Sequence, residues 1–198
     1  MDISKTAIEY TKETIVQYLR AYIYNSENYA RFLNPDKITI EDVKKCKVYD
    51  GTPDVLTNFP MVVISGANGN MQSAGLSDFK QEQFNEFGDV IGYLYGGWYD
   101  FTLTLECATL SSYQNEFFED FLIHALRVYL YRPLEQAGIL IKNISYNGEN
   151  TTNDKNNIIF VSNISIQVWT QWSEYIDLLD LKEVNLEFDV TNEEMFKD

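Results

Sequence analysis

Residues 98–131 constrain the fold of this chain more than any other stretch, because a strictly alternating segment is followed at once by an amphipathic one. In the first part, apolar and polar side chains take turns from position 99 to position 107, which predicts a half-buried central strand over 98–110. The apolar residues are Tyr99, Phe101, Leu103, Leu105 and Cys107, and the polar ones are Asp100, Thr102, Thr104 and Glu106.

The second part predicts a helix over 112–131 that covers one face of the sheet. Ser111 is the expected N-cap, and the helix is expected to stop at Arg132 and Pro133. Apolar residues recur between them at spacings of three and four. They are Phe117, Phe118, Phe121, Leu122, Ala125, Leu126, Val128 and Tyr129. Three carboxylates in the first turns, Glu116, Glu119 and Asp120, suit the positive end of the helix dipole.

The segments before the central strand predict one helix and one strand. A helical stripe over 4–24 predicts an N-terminal helix, and the apolar run 59–65 predicts a buried strand. The polar segment 25–58 lies between them, and a short strand or helical turn is expected there at 38–48.

After the central helix, two alternating segments predict a β-hairpin. Strands over 138–146 and 158–172 are expected to pair antiparallel, joined by the polar connector 147–157. On the second strand, one face is expected to carry Ile158, Phe160, Ile164, Ile166 and Val168.

Segment 66–97 differs from the rest in its glycine content, since it holds seven of the ten glycines of the chain. Its aromatic residues argue against disorder, so a long functional loop between the early strands is expected. The last segment, 173–198, has two basic and nine acidic residues, yet Val184, Leu186, Phe188 and Val190 alternate with polar ones. It is expected to be an acidic arm that adds a strand to a sheet edge.

These patterns together predict an α+β fold with a small mixed or mostly antiparallel sheet. An N-terminal helix and a second helix are expected to pack on one face. We expect a single domain over 1–172, with 66–97 as its glycine-rich loop, followed by the arm 173–198. A chain of 198 residues with 45% hydrophobic residues is long enough to bury such a core.

The formal net charge of −15 argues against direct binding of nucleic acid, which needs basic residues to neutralise phosphates. No apolar run is long enough to span a bilayer and the first residues do not follow a signal-peptide plan, so synthesis in the host cytoplasm and no membrane partner are expected. Cys46 and Cys107 are expected to be buried or half-buried thiols.

We expect no catalytic residue, no cofactor and no bound metal. His124, the single histidine, lies beside Phe121 and Val128 at helical spacing, as a partly buried or rim histidine would. The glycine-rich stretch 65–75 lacks the ending of a phosphate loop. A small enzyme that uses carboxylates and a metal therefore ranks last among the functions considered.

Trp169 and Trp172 fall on opposite faces of their strand, so the end of that strand is apolar on both sides. Either another element of this chain or another subunit is expected to cover it.

The order of helix, short strand, long loop, long strand, helix and hairpin over residues 4–172 resembles tail-terminator and head-to-tail connector (neck) proteins of long-tailed bacteriophages. The strand entry at Phe59, Pro60 and Met61 and the helix directly after the long strand are consistent with that family. The resemblance implies a structural virion protein that forms a ring, typically a hexamer in that family, and contacts adjacent tail-tube or neck proteins.

An alternative function from another class is an acidic inhibitor that mimics DNA and presents carboxylates to a DNA-binding enzyme. Such a mimic needs acidic residues spread along one elongated face. Here the segment 173–198 alone has a net charge of −7, which is about half of the excess.

Overall fold

The computed structural model describes residues 7–34, 38–51, 58–73, 79–154 and 157–177. The described residues divide into two compact units. The first comprises those of Met1–Gln72 and Trp98–Trp172, and the second those of Ser73–Gly97 and Ser173–Asp198. The expected domain over 1–172 and arm over 173–198 stay predictions, since most of the arm lies outside the described residues.

Helices follow the apolar stripes of the sequence. The α-helices are α1 (Ala7–Tyr24), α2 (Ile40–Lys44), α3 (Ser112–His124) and α4 (Tyr131–Gln136), with two 3₁₀ turns at Ser26–Asn28 and Ala30–Phe32. A π-helical turn, Ala125–Tyr129, joins α3 to α4. The N-terminal helix is therefore confirmed over its described residues, and the expected helical turn in segment 38–48 is α2.

The strands are β1 (Lys47–Asp50), β2 (Met61–Ser73), β3 (Phe79–Phe84), β4 (Val90–Thr109), β5 (Ile139–Asp154) and β6 (Asn157–Asp177). They form a sheet in the order β1-β2-β4-β6-β5, and β3 pairs with β4. β1 runs parallel to β2, while the pairs β3–β4 and β5–β6 are antiparallel. The α+β class with a mixed sheet is confirmed.

Both long helices pack on the same face of the sheet. The buried core joins the alternate residues of β4, including Phe101, Leu103 and Leu105, to buried residues of α1 and α3 such as Leu19 and Leu122. The predicted register of the central strand is therefore right, because the side chains between these positions are exposed or half-buried.

Asn115 fixes the position of α3 on this face. The residue is fully buried, and its Nδ2 donates hydrogen bonds of 3.0 Å to the carbonyl oxygens of Cys107 in β4 and Phe160 in β6. Polar groups that are buried in a core are costly without such partners. One amide thus ties the first turn of the helix to two neighbouring strands.

The start and the end of α3 differ in part from the prediction. Ser111 stands at the N-cap, but its side chain makes no capping hydrogen bond. The predicted continuous helix over 112–131 ends earlier, and Pro133 lies in the first turn of α4. A proline ring clashes with the carbonyl group four residues before it in a continuous helix, which here belongs to Tyr129. The break at Leu130 avoids that clash.

Segment 66–97 joins the early strands as expected, but its prediction as an irregular loop is wrong. β2 extends to Ser73, β3 and β4 form a hairpin, and the turn between them is held by the Asn85 side chain. Asn85 Oδ1 accepts hydrogen bonds of 2.9 Å from the backbone N–H groups of Phe87 and Asp89. Gly88 has a φ of +85°, which only glycine adopts readily.

The glycine content of this segment misled the prediction because glycine also serves inside strands. A Cβ built on Gly69 would overlap the backbone and side chain of Phe101 in β4. Glycine at position 69 therefore allows β2 to lie close against the central strand, which a larger residue would prevent.

The predicted hairpin of 138–146 and 158–172 is confirmed, and it is longer than expected. Pairing runs from Ile139 opposite Thr170 to Asp154 opposite Asn157, so the predicted polar connector is largely strand. Ile164, Ile166 and Val168 are buried against the helices as predicted. Ile158, which was expected on the same face, is instead 55% exposed.

A small second cluster of buried residues lies on the other face of the sheet. Met61, Val63, Ala108 and Ile159 form it, with Tyr49, Phe59 and Val161 packed against it.

The same substitution at two neighbouring residues of β4 tests the register, because their side chains lie on opposite faces of the strand. Leu103→Asp is expected to lower the free energy of unfolding by about 3 kcal/mol or more, since it places an unpaired charge in the core. Thr102→Asp, at an exposed position, is expected to change it by less than about 0.5 kcal/mol. Urea unfolding of both variants measures the difference, and a reversed order would contradict the register.

Candidate functional site

A cavity of about 380 Å³ lies beside α3, on the side of that helix that does not face the sheet strands. Two of its lining residues come from α1 and the second 3₁₀ turn, namely Tyr22 and Phe32. The other six belong to α3: Tyr113, Glu116, Phe117, Asp120, Phe121 and His124. Their spacing of three and four residues gathers them on one side of the helix.

Aromatic rings make up most of the cavity wall and contact one another. The ring centroid of Tyr22 is 5.2 Å from that of Phe121 and 5.1 Å from that of Tyr129, and Phe117 stacks on Phe121 at 5.6 Å. These distances lie in the range of favourable aromatic pairs. The wall is therefore a packed structure rather than a set of loose side chains.

The hydroxyl group of Tyr22 is a buried polar group without a partner among the described residues. Tyr22 is 3% exposed, and its Oη makes no hydrogen bond there. Burial raises the pKa of Tyr22 to about 12, with smaller contributions from Tyr129 and Tyr29. The hydroxyl group thus stays protonated, and its donor and acceptor are both unused among the described residues.

His124 is half-buried at the cavity, as the rim position predicted from the sequence requires. Its ring meets the edge of Phe32 at 5.0 Å and that of Tyr129 at 5.4 Å. The π-helical turn explains the second contact. In a regular α-helix, five residues correspond to a rotation of about 140°, whereas the wider turn after His124 brings Tyr129 back toward the same side.

The structure separates the three carboxylates that the sequence groups together. Glu116 and Asp120 are exposed and line the cavity. Glu119 lies beside Ser162 of β6, and burial raises the pKa of Glu119. Within the described ranges, no three histidine, cysteine, aspartate or glutamate side chains are grouped so that they could hold a metal ion.

Cys46 and Cys107 are free thiols in the core, which confirms their predicted burial. Burial raises the pKa of Cys46 to about 12, and it also raises the pKa of Cys107 far above the usual value. A thiol held in the protonated form is a poor nucleophile. The glycine-rich stretch 65–75, considered as a phosphate loop from the sequence, belongs to β2 as far as Ser73.

A second polar and aromatic cluster lies on the sheet face that the helices leave open. Trp98 and Trp169 contact each other with centroids 6.1 Å apart, and Lys142 Nζ lies 3.4 Å from the centre of the Trp169 ring. Trp172 points to the opposite face and contacts Tyr99 at 6.3 Å. Both predicted tryptophans are thus half-buried by residues of this chain.

Asp100 joins the same cluster as Trp169 and accepts a hydrogen bond of 3.0 Å from Gln167 Nε2. The Trp169 indole N–H does not complete a hydrogen bond of standard geometry. The Trp169 indole nevertheless lowers the pKa of Asp100 more than any other group does. The hydrogen bond from Gln167 comes second and the charge of Lys142 third. The carboxylate is therefore held in its charged form.

No residue of the cavity wall was predicted from the sequence as part of a site, and two of them come from outside α3. Tyr22 belongs to the stripe of α1 that was expected to be ordinary core, and Phe32 lies in the polar segment 25–58. Their approach to α3 depends on the tertiary fold. The one sequence pattern that indicates this site is the spacing of Glu116, Asp120 and His124, which recur at intervals of four residues on one side of α3.

No helix within the described residues is long and apolar enough to cross a membrane. No protein-family model matches the chain, and no curated protein matches it either.

The charge of Asp100 makes a testable contribution to stability. Its pKa lies below the ordinary value of 3.8 in the folded protein, so its contribution is present above pH 3.8 and is lost as the pH falls through the lowered pKa. The Asp100→Asn variant should lack this dependence. We expect its melting temperature to fall less steeply than that of the wild type below about pH 4.

Calorimetry or circular dichroism between neutral pH and acid measures both curves. Glu135→Gln, at an exposed position of α4, is the control for the loss of one negative charge. Parallel curves for the wild type and Asp100→Asn would contradict the assignment.

Proposed function

We propose that this chain is a ring-forming structural subunit of a bacteriophage neck or tail end, with tail terminator or head-to-tail connector as its role. The order of its elements resembles those proteins. Its site in the virion, its hexameric ring and its contacts with tail-tube or neck proteins belong to the same proposal.

The observation that carries the proposal is the long edge strand β5. It spans sixteen residues and lies at the end of the sheet order among the described strands. From Ser145 to Thr152 every side chain is exposed. Typical strands have about five or six residues, so this edge is unusually long for a protein that does not pair it with a neighbour.

The opposite edge of the sheet, strand β1, is short and partly blocked. β1 has four residues, and Arg20 of α1 donates hydrogen bonds of 3.1 and 2.6 Å from Nε and Nη2 to the carbonyl oxygen of Val48. An edge that is short and blocked by a charged side chain is protected from pairing. The contrast points to β5 as the side that meets another subunit.

The exposed hydrophobic residues of the two hairpins support the same reading. Tyr146 in β5 is 62% exposed, and Ile158 at the start of β6 is 55% exposed. In the second unit, Phe87 is 89% exposed in the turn that Asn85 holds. Large apolar groups on ordered backbone are typical of contact surfaces. We assign the β5 edge to the subunit contact and the turn at Phe87 to a contact with the next component of the virion.

A negative charge at the centre of the proposed subunit contact is the test. The wild type should have a mass of several times 23.0 kDa in solution, and a sixfold multiple is expected. Tyr146→Glu should reduce it to a monomer, because a buried unpaired carboxylate in an interface is costly. Circular dichroism should remain unchanged, since Tyr146 is exposed in the subunit.

Native mass spectrometry and light scattering measure the masses, and electron microscopy identifies rings. Gln17→Glu adds the same charge at an exposed position of α1 and should leave the assembly intact. A wild type that is monomeric at all concentrations would contradict the proposal and would favour the DNA-mimic alternative.

A further inference from the structure

We propose that the cavity beside α3 is a binding site for a guanidinium group on an apolar stem, such as an arginine side chain or a small free guanidine. The inference does not rest on the proposed ring. It rests on three properties of the cavity, which are its aromatic wall, its paired carboxylates and the hydroxyl group of Tyr22.

The aromatic wall suits a cation with an apolar stem. Five of the eight lining residues are phenylalanine or tyrosine. The face of an aromatic ring attracts cations, and guanidinium stacks on such faces because it is planar and weakly hydrated. Arg31 already shows this contact within the chain, since its guanidinium lies 4.7 Å from the centre of the Phe32 ring.

The acidic residues of the lining favour a positively charged ligand. Glu116 and Asp120 lie one helical turn apart on α3, and no lysine or arginine lines the cavity among the described residues. Arg31, the cation nearest in sequence to the lining, donates a hydrogen bond of 2.9 Å to Tyr129 Oη. Arg31 thus adjoins the wall at Phe32, while the lining itself has two carboxylates and no basic residue.

Tyr22 lines the cavity, and its buried hydroxyl group has no partner among the described residues. A buried polar group without a partner destabilises the folded protein, and a ligand donor that reaches Tyr22 Oη would remove that cost. Guanidinium has five N–H donors in a fixed plane, enough for the hydroxyl oxygen and both carboxylates. The volume of about 380 Å³ is at the lower end of ligand pockets, about 300–1,000 Å³, and suits one side chain.

His124 provides a direct measurement, because it is the single histidine of the chain and lines the cavity. Its imidazole proton resonances report binding without assignment of the rest of the spectrum. The full-length protein is titrated at constant pH and ionic strength with the blocked tripeptide Gly-Arg-Gly. The control is the same peptide with citrulline, which has a similar shape and no charge.

We expect the arginine peptide to shift the His124 resonances and saturate at about 1 mM, as suits a single inserted side chain. The citrulline peptide should cause no saturable shift. A titration with methylguanidinium separates the two sources of the ligand. Equal affinity for the small cation indicates a free guanidine as the natural ligand, and an affinity at least tenfold weaker indicates an arginine side chain of another protein.

Three variants locate the site. Glu116→Gln and Asp120→Asn should each weaken binding about tenfold through the loss of one charged hydrogen bond, while Glu135→Gln, outside the cavity lining, should have no effect. Tyr22→Phe should also weaken binding, yet it should raise the melting temperature because it removes the unpartnered hydroxyl group. A purely structural role of Tyr22 would change the melting temperature alone.

Two results would overturn the proposal. One is the absence of a saturable shift with the arginine peptide, and the other is an equal response to the citrulline peptide. Unchanged affinity in all three cavity variants would likewise show that the peptide binds elsewhere.

Discussion

The side-chain amide of Asn115 determines where helix α3 lies on the sheet, and much of the structure follows from that position. Its two hydrogen bonds to Cys107 and Phe160 reach neighbouring strands, so a slide or rotation of the helix would leave the buried N–H groups of Asn115 without these partners. Phe118 and Leu122 are thereby directed into the core. The side of α3 that carries its two exposed carboxylates is directed away from the strands for the same reason.

The elements with strong periodicity could be predicted from the sequence, and those without it could not. The faces of β4 and the stripe of α1 are set by burial on one side, which leaves a period of two or of 3.6 residues in the sequence. Segment 66–97 has no such period, because its strands contain glycines such as Gly69 for close strand packing. Composition alone then indicates a loop, although the backbone is extended.

The candidate site was predictable only in the part that one helix supplies. His124, Glu116 and Asp120 share a side of α3, and helical spacing alone places them together. Tyr22 belongs to α1, which is far from α3 in sequence. The two helices meet only because both pack on the same face of the sheet. Tyr129 reaches His124 through a π-helical turn, and no local pattern predicts that turn apart from the proline at position 133.

The unequal edges of the sheet have a consequence for symmetry. If two copies paired through β5 alone, each would use the same surface, and the contact would close as a twofold dimer with nothing left to extend it. In the proposed ring the contact joins two different surfaces, so β5 would meet a part of its neighbour other than β5. The blocked carbonyl of Val48 removes part of β1 from that choice. If the chain assembles through β5 as proposed, the number of subunits reports which surface receives the strand. Two subunits indicate self-pairing, and a larger closed number indicates a separate receiving surface on each copy.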